Sequence, residues 1–250
     1  MTSITFNQIH RDGQIVKATK EYEHFHDSEF LSRYDSNLIA WKCMPSTALF
    51  KEIEVTLSNF HLLNNQKHLK FIFPPNEKLT NELHNYLLSK NYSIGFLELY
   101  SIQPKDFKAS KNTQIEIQFV KEENIEDFLQ LQYHEDLQFG ESFATEKQVY
   151  LRKQYIKDNV YFIIAYDQMK PIGSVIIIQK DNTAEIDNLF VLDSHQRKGI
   201  GSSIQHFVME HFHNKTITLV ADGEDTPREM YQRQNYRLKG FQYEALKVQE

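Results

Sequence analysis

Two carboxylates, Glu185 and Asp187, stand in the apolar run TAEIDNLFV (183–191), and a tyrosine, Tyr231, stands in MYQRQNY (230–236). A carboxylate can accept a proton and a phenol can deliver one, so these residues suit acid–base chemistry. Between them lies HQRKGIG (195–201), which holds Gly199 and Gly201, two of only eight glycines in the chain. A strand that ends, turns through glycines and opens a helix leaves backbone N–H groups unpaired, and the helix dipole adds partial positive charge there. Such a place binds phosphate or pyrophosphate, and glycine lets the main chain come close to it. Arg197 and Lys198 flank the glycines either as phosphate contacts or as solvated cations. The other reading of the loop is a plain turn in which glycine relieves strain.

Strand alternation places Glu185, Asp187, Leu189 and Val191 on one face, and Ala184, Ile186, Asn188 and Phe190 on the other. A carboxylate near the centre of a sheet is costly unless hydrogen-bonded or hydrated, so one facing a cleft is a functional candidate. Other chemistries are disfavoured. The dinucleotide pattern GxGxxG and the nucleoside-triphosphate pattern GxxxxGK[ST] are both absent. A net charge of -6 with scattered Lys and Arg argues against nucleic acid as a partner. The 11 histidines lack the i, i+4 spacing of a helical zinc pair at His206, His211 and His213, so no metal is expected. The single cysteine, Cys43, and a start without a signal pattern fit a cytoplasmic protein, and no apolar run is long enough to span a membrane.

The elements that must position these residues follow from periodicity. QPKDFKASKNTQ (103–114) reads as a linker, after which strands are expected at 115–120, 160–166, 171–180, 183–191, 216–221 and 236–248. Helices are expected from Asn124, from Thr145 as the cap of a TEKQ capping box, over 199–213, and from Pro227 behind a Thr226 cap. This order, β-α-α-β-β-β-α-β-α-β, makes a mixed sheet with helices on its faces. Ahead of it, helices are expected over 47–63 and 77–90 and strands over 68–73 and 92–102. SKNYSIGFLEL and RQNYRLKGFQY each end a helix at an Asn, continue with Tyr and soon meet Gly-Phe, a faint internal repeat.

HQRKGIG resembles the Q/R-x-x-G-x-G/A signature of the GNAT N-acetyltransferase superfamily, with Gln196, Gly199 and Gly201 at its fixed positions. MYQRQNY resembles the superfamily's Y-E-K-x-G-F, with Asn235 in place of Gly, and both residues accept a left-handed helix cap. The resemblance implies an α/β (α+β) fold with a mixed, mostly antiparallel sheet flanked by helices, in two tandem GNAT-like domains. The first, 1–110, would be a degenerate copy without the cofactor motif, with Leu87 where the tyrosine would be, shaping or covering the acceptor site. The second, 111–250, would be the acetyltransferase domain.

The resemblance also implies acetyl-coenzyme A as donor and a primary amine, on a small molecule or peptide, as acceptor. Phe190, Val191 and Leu192 would offer backbone groups to pantetheine. Gln196 and the amides of Arg197, Lys198, Gly199, Ile200, Gly201 and Ser202 would hold the pyrophosphate. Tyr231 would protonate the leaving thiolate. Alignment with the histone-acetyltransferase branch puts a glutamate base at Glu185, with Asp187 or a water relay as the alternatives. A non-catalytic acyl-coenzyme A sensor or scaffold would keep the loop and fold without needing Tyr231 or the acidic strand face.

Overall fold

In the computed structural model, which describes residues 3–112, 114–223 and 227–248, the glycine loop joins a strand to a helix as its spacing predicts. In chain order the early elements are strands β1 (Gln14–Ala18), β2 (Tyr22–His26) and β3 (Leu38–Trp41), helix α1 (Thr47–Leu63), β4 (His68–Ile72), α2 (Asn81–Ser89) and β5 (Ser93–Ile102). There follow β6 (Glu116–Phe119), α3 (Ile125–Asp136), α4 (Glu141–Tyr155), β7 (Val160–Asp167), β8 (Lys170–Gln179) and β9 (Thr183–Val191). The chain then continues with α5 (Ile200–His211), β10 (Thr216–Asp222), α6 (Pro227–Arg233) and β11 (Arg237–Val248).

Two compact units interleave along the chain. The first comprises Met1–His10, Tyr100–Val220 and Thr226–Leu238; the second comprises Arg11–Leu99, Ala221–Asp225 and Lys239–Glu250. In the first unit the strand order is β10-β9-β8-β7-β6. Strands β6 to β9 pair antiparallel, while β9 and β10 are parallel across the crossover helix α5. One face packs on α3 and α4 through Phe128, Leu129, Leu151, Phe162, Ile164, Ile176 and Ile178. Helix α5 covers the other face, against β7, β8 and β9. In the second unit β1, β2 and β3 form an antiparallel meander, β3 and β4 are parallel across α1, and β4 pairs antiparallel with β11. Its core is aromatic, built on Trp41, Phe50, Phe71, Phe73 and Tyr92.

Several expectations are corrected. Helix α4 begins at Glu141, with Gly140 at φ 102° as its N-cap, so Thr145 lies inside the helix and caps nothing. The helix starts early because Gly140 turns the chain sharply after a 3-10 turn at Leu137–Phe139. Strands β1 to β3 carry no alternation that would announce them, since β1 is exposed throughout and β3 is buried throughout. The segment read as a linker is tied along the first unit: the Asp106 carbonyl accepts from Asn235 Nδ2, Lys108 N–H donates to the Gln234 carbonyl, and the His206 ring meets the Ala109 carbonyl. The expected Thr226 cap lies outside the described residues.

The repeat noted in sequence is a repeat of geometry. Asn91 and Asn235 both take left-handed conformations, at φ 60° and 72°. Tyr92 N–H then bonds back to the Leu87 carbonyl at 3.1 Å, and Tyr236 N–H to the Tyr231 carbonyl at 2.9 Å. This is the six-residue closure of a helix C-terminus, used twice.

Candidate active site

The loop between β9 and α5 is held from both sides. Gln196 Nε2 donates to the Val191 carbonyl at 3.1 Å and to Asp193 Oδ1 at 2.7 Å, closing the turn on itself. Asn112 Nδ2 donates to the Lys198 carbonyl, and Lys198 Nζ to the Ser194 carbonyl. Positive φ occurs at Arg197 (60°) and Gly199 (77°) and at neither neighbour between and beside them. An alternation of this kind is what lets successive N–H groups line one concavity. Gly199 is the N-cap of α5 and no side chain caps the helix; its first bond runs from Ser203 N–H to the Gly199 carbonyl at 3.0 Å. The amides of Ile200, Gly201 and Ser202 precede that bond and so lack intrahelical partners.

The glycines are not there for packing. A Cβ added at Gly199 would meet nothing within 4 Å, and one at Gly201 would meet only Val191 Cγ2, at 3.9 Å. Gly199 needs its positive φ, but Gly201 has an ordinary helical backbone and room for a side chain. Strain relief therefore explains the first glycine and not the second. A cradle that a Cβ would fill explains both, and its amides and adjacent cations suit a pyrophosphate.

Strand β9 reaches this loop through a bulge. Asp187 pairs with Ile176 and Phe190 with Ser174, so Asn188 and Leu189 together face the single residue Val175. Asn188 has φ 48°, a conformation Asn accepts more readily than most residues. The bulge overturns the expected face assignment, because the extra residue reverses the alternation beyond it. Phe190 now shares the α3 side with Glu185 and Asp187 and packs, with Leu192, against the Phe128–Phe162 core. Val191 turns instead toward α5, where its Cγ2 lies near Gly173 and Gly201. A buried network holds the bulge: Asn188 Nδ2 donates to Gln132 Oε1 at 2.6 Å, and Gln132 Nε2 donates to Ser174 Oγ at 2.9 Å.

The parallel register of β9 and β10 runs from Thr183 opposite Thr216 to Ile186 opposite Leu219. Near its end lies a cavity of about 240 Å³, lined by Glu185, Ile186, Asp187, Asn188 and Leu189 of β9, Leu219 and Val220 of β10, and Tyr231 of α6. Two carboxylates and one phenol, separated by about forty positions in sequence, thus line one space. Tyr231 is half-buried, its ring 5.4 Å from that of Tyr100 and 5.5 Å from that of Tyr236. Asp187 is partly exposed. Glu185 is 8% exposed, and its Oε2 accepts one hydrogen bond, 2.7 Å from the His10 N–H. Burial pushes its carboxyl up from 4.5 to about 7, reinforced by Asp187 and opposed by the His10 N–H and Lys180. A carboxylate poised there suits a general base at neutral pH.

Sequence reasoning did not find Gln132, Ser174, Asn188 or His10. Only Asn188 carried a signal, as an Asn within an apolar strand. Among the described residues no group of three or more His, Cys, Asp or Glu is arranged to hold a metal, and no helix is long and apolar enough to cross a membrane.

The model of an acetyltransferase (GNAT) domain matches residues 120–247, and a domain of unknown function (DUF5613) matches residues 4–100. No curated protein matches the sequence. A functionally unknown conserved protein from Staphylococcus epidermidis is 34% identical, with 99% of this chain and 98% of that one covered and a TM-score of 0.91. A GCN5-related N-acetyltransferase from Sphaerobacter thermophilus is similar in fold, at 10% identity, coverage of 91% and 76%, and a TM-score of 0.62. So is a tandem GNAT protein from the clavulanic acid biosynthesis pathway, at 7% identity, coverage of 84% and 75%, and a TM-score of 0.53. The matched domain spans just over half of the chain and includes the glycine loop, and the chain belongs to the GNAT acetyltransferase family.

Proposed function

We propose that the first unit transfers an acetyl group from acetyl-coenzyme A to a primary amine, by direct attack within a ternary complex. The single observation that carries this reading is the cavity shared by Glu185, Asp187 and Tyr231, at the bulged strand that leads into the open loop. The amides of residues 197 to 202 would hold the pyrophosphate, with Arg197 and Lys198 adding charge, and the backbone of Phe190 to Leu192 would lie along pantetheine. Gln196 keeps the turn closed rather than reaching outward. Acetyl-coenzyme A supplies an already activated thioester, so positioning accounts for much of the rate.

Proton movements fall to the chain's own residues. An alkyl ammonium with a pKa of about 10.4 must lose a proton before it can attack. The Glu185 carboxylate accepts that proton, and Asp187, on the same strand face, adds negative charge that favours a cationic acceptor. The Tyr231 hydroxyl gives its proton to the departing sulfur.

The test is the pH dependence of kcat/KM over an amine library, read as released thiol. Wild type should rise tenfold per pH unit up to about 7, where Glu185 ionises, and then level off. Glu185→Gln should instead keep rising toward about pH 10, because it must wait for neutral amine. A variant that keeps the bend near 7 removes Glu185 as the base. Binding of acetyl-coenzyme A without transfer to any amine would favour the sensor reading.

A further inference from the structure

The first residues of the chain belong with the first unit, although the residues that follow them do not. Thr5 and Gln8 close a capping box around a 3-10 turn, Phe6–Gln8, and Phe6 is buried. Lys180, at the turn between β8 and β9, donates its ammonium to the Gln8 carbonyl. Two residues later the His10 N–H lies 2.7 Å from Glu185 Oε2. A peptide N–H is a donor that cannot lose its role by titration, and it favours the charged form of the carboxylate it meets.

From this placement we infer that residues 5 to 10 form an N-terminal strap whose His10 N–H positions the Glu185 carboxylate and keeps it anionic for acetyl transfer. The inference rests on Glu185 as the base proposed above. The strap occupies Oε2 and leaves Oε1 to take the acceptor's proton. His10 is thus a positioning residue that acts through its backbone. The other groups facing Glu185 are Asp187 on its own strand, Lys180, the His10 ring and, across the cavity, Tyr231.

The backbone donor can be removed selectively. His10→Pro deletes the N–H, and Ile9 already has the extended conformation a following proline requires, at φ -68° and ψ 141°. His10→Ala keeps the N–H and serves as its control. Losing a hydrogen bond to a charged group should raise the Glu185 midpoint by about one pH unit. Both variants lose the ring, so the bend in kcat/KM should lie about one pH unit higher in His10→Pro than in His10→Ala. At pH 7 this is a roughly fivefold loss of kcat/KM, with the affinity for acetyl-coenzyme A unchanged. A bend unmoved in His10→Pro, or moved equally in both variants, would overturn the inference.

A second measurement needs no turnover. In His10→Ala, which keeps the N–H and has no ring to titrate, the residue-10 amide resonance should titrate with a midpoint near that of Glu185, and that titration should vanish when Glu185→Gln is added. An amide that does not titrate in this range refutes the strap contact. Because this readout involves neither donor nor acceptor, it stands or falls independently of the acetyltransferase reading.

Discussion

Replacing Glu185 by glutamine should make the protein more stable at pH 8 and leave its stability unchanged at pH 4. The sign follows from linkage. The folded carboxyl ionises at about 7 and the unfolded one at 4.5, so between these values the folded state binds the proton more tightly. Stability therefore falls as pH rises from 4.5 to about 7, and the full penalty is present above that. Glutamine of the same shape cannot ionise and still accepts the His10 N–H, so it escapes the penalty. At about 1.36 kcal/mol per pH unit, the gap between the two midpoints corresponds to about 3 kcal/mol. A domain of this size shifts its Tm by about 2–4 °C per kcal/mol, so the gain at pH 8 should be about 6 °C or more. Scanning calorimetry of both proteins from pH 4 to pH 8.5 reads this directly. Curves that separate only above pH 5 and diverge through pH 7 support a buried, poised carboxylate. A constant offset, or a wild type that is the more stable at pH 8, would refute the argument and with it the assignment of Glu185 as a group tuned for proton transfer. A loss of activity in the same variant would make the point sharper, since the carboxylate would then cost stability where the proposed reaction uses it.

Three further outcomes follow from the geometry. Gly201→Ala should melt within about a degree of wild type, because its Cβ meets only Val191 Cγ2 at van der Waals distance. By calorimetric titration it should bind acetyl-coenzyme A at least tenfold more weakly; equal binding would return the loop to a structural role. Tyr231→Phe keeps the ring against Tyr100 and Tyr236, so kcat should fall by about 10²-fold, and a kcat within twofold of wild type would exclude the phenol as the acid. In the second unit burial holds His24 and His68 neutral, with midpoints lowered from 6.5 to about 4. Folded histidines that resist protonation lose stability as pH falls from 6.5, by roughly 3 kcal/mol each near pH 4. Urea unfolding followed through the one tryptophan, the buried Trp41, should show a lower midpoint at pH 4.5 than at pH 7, and equal midpoints would contradict it.

What could be read in the sequence was what local physics dictates. Helix α1 carries its apolar stripe and strands β7 to β9 carry their β-branched runs, so they fold where the pattern places them. The glycine loop was legible because few residue types can build an open helix N-terminus. The reversed face beyond Asn188 was not, because a bulge depends on the pairing register with β8 and on a Gln132 more than fifty positions away. The His10 contact was invisible for a stronger reason. A backbone N–H has no residue type, so nothing in the letters distinguishes the amide that meets Glu185 from any other.

The same physics separates the unit proposed to bind the cofactor from the other, which shares part of its order of elements. Each carries three consecutive antiparallel strands, β1 to β3 in the second unit and β7 to β9 in the first, then a crossover helix, a parallel strand and a short helix closed by a left-handed Asn. They differ at the start of the crossover helix. In the second unit Ser46 caps α1, its side chain accepting from Leu49 N–H, so that terminus satisfies one of its own donors. In the first unit the corresponding cap is Gly199, which has no side chain to offer, and the amides of α5 are left for something else. The second difference lies one turn before the left-handed Asn, where the second unit has buried Leu87 and the first has Tyr231 beside a cavity. Ser46 and Leu87 thus deny the second unit both the open amides and the phenol on which the proposed function of the first unit rests. Restoring only one of them, as in Ser46→Gly, should therefore create no measurable affinity for acetyl-coenzyme A in a Gly199→Glu background. Binding regained by that single change would mean that the glycine loop is not what distinguishes the two units.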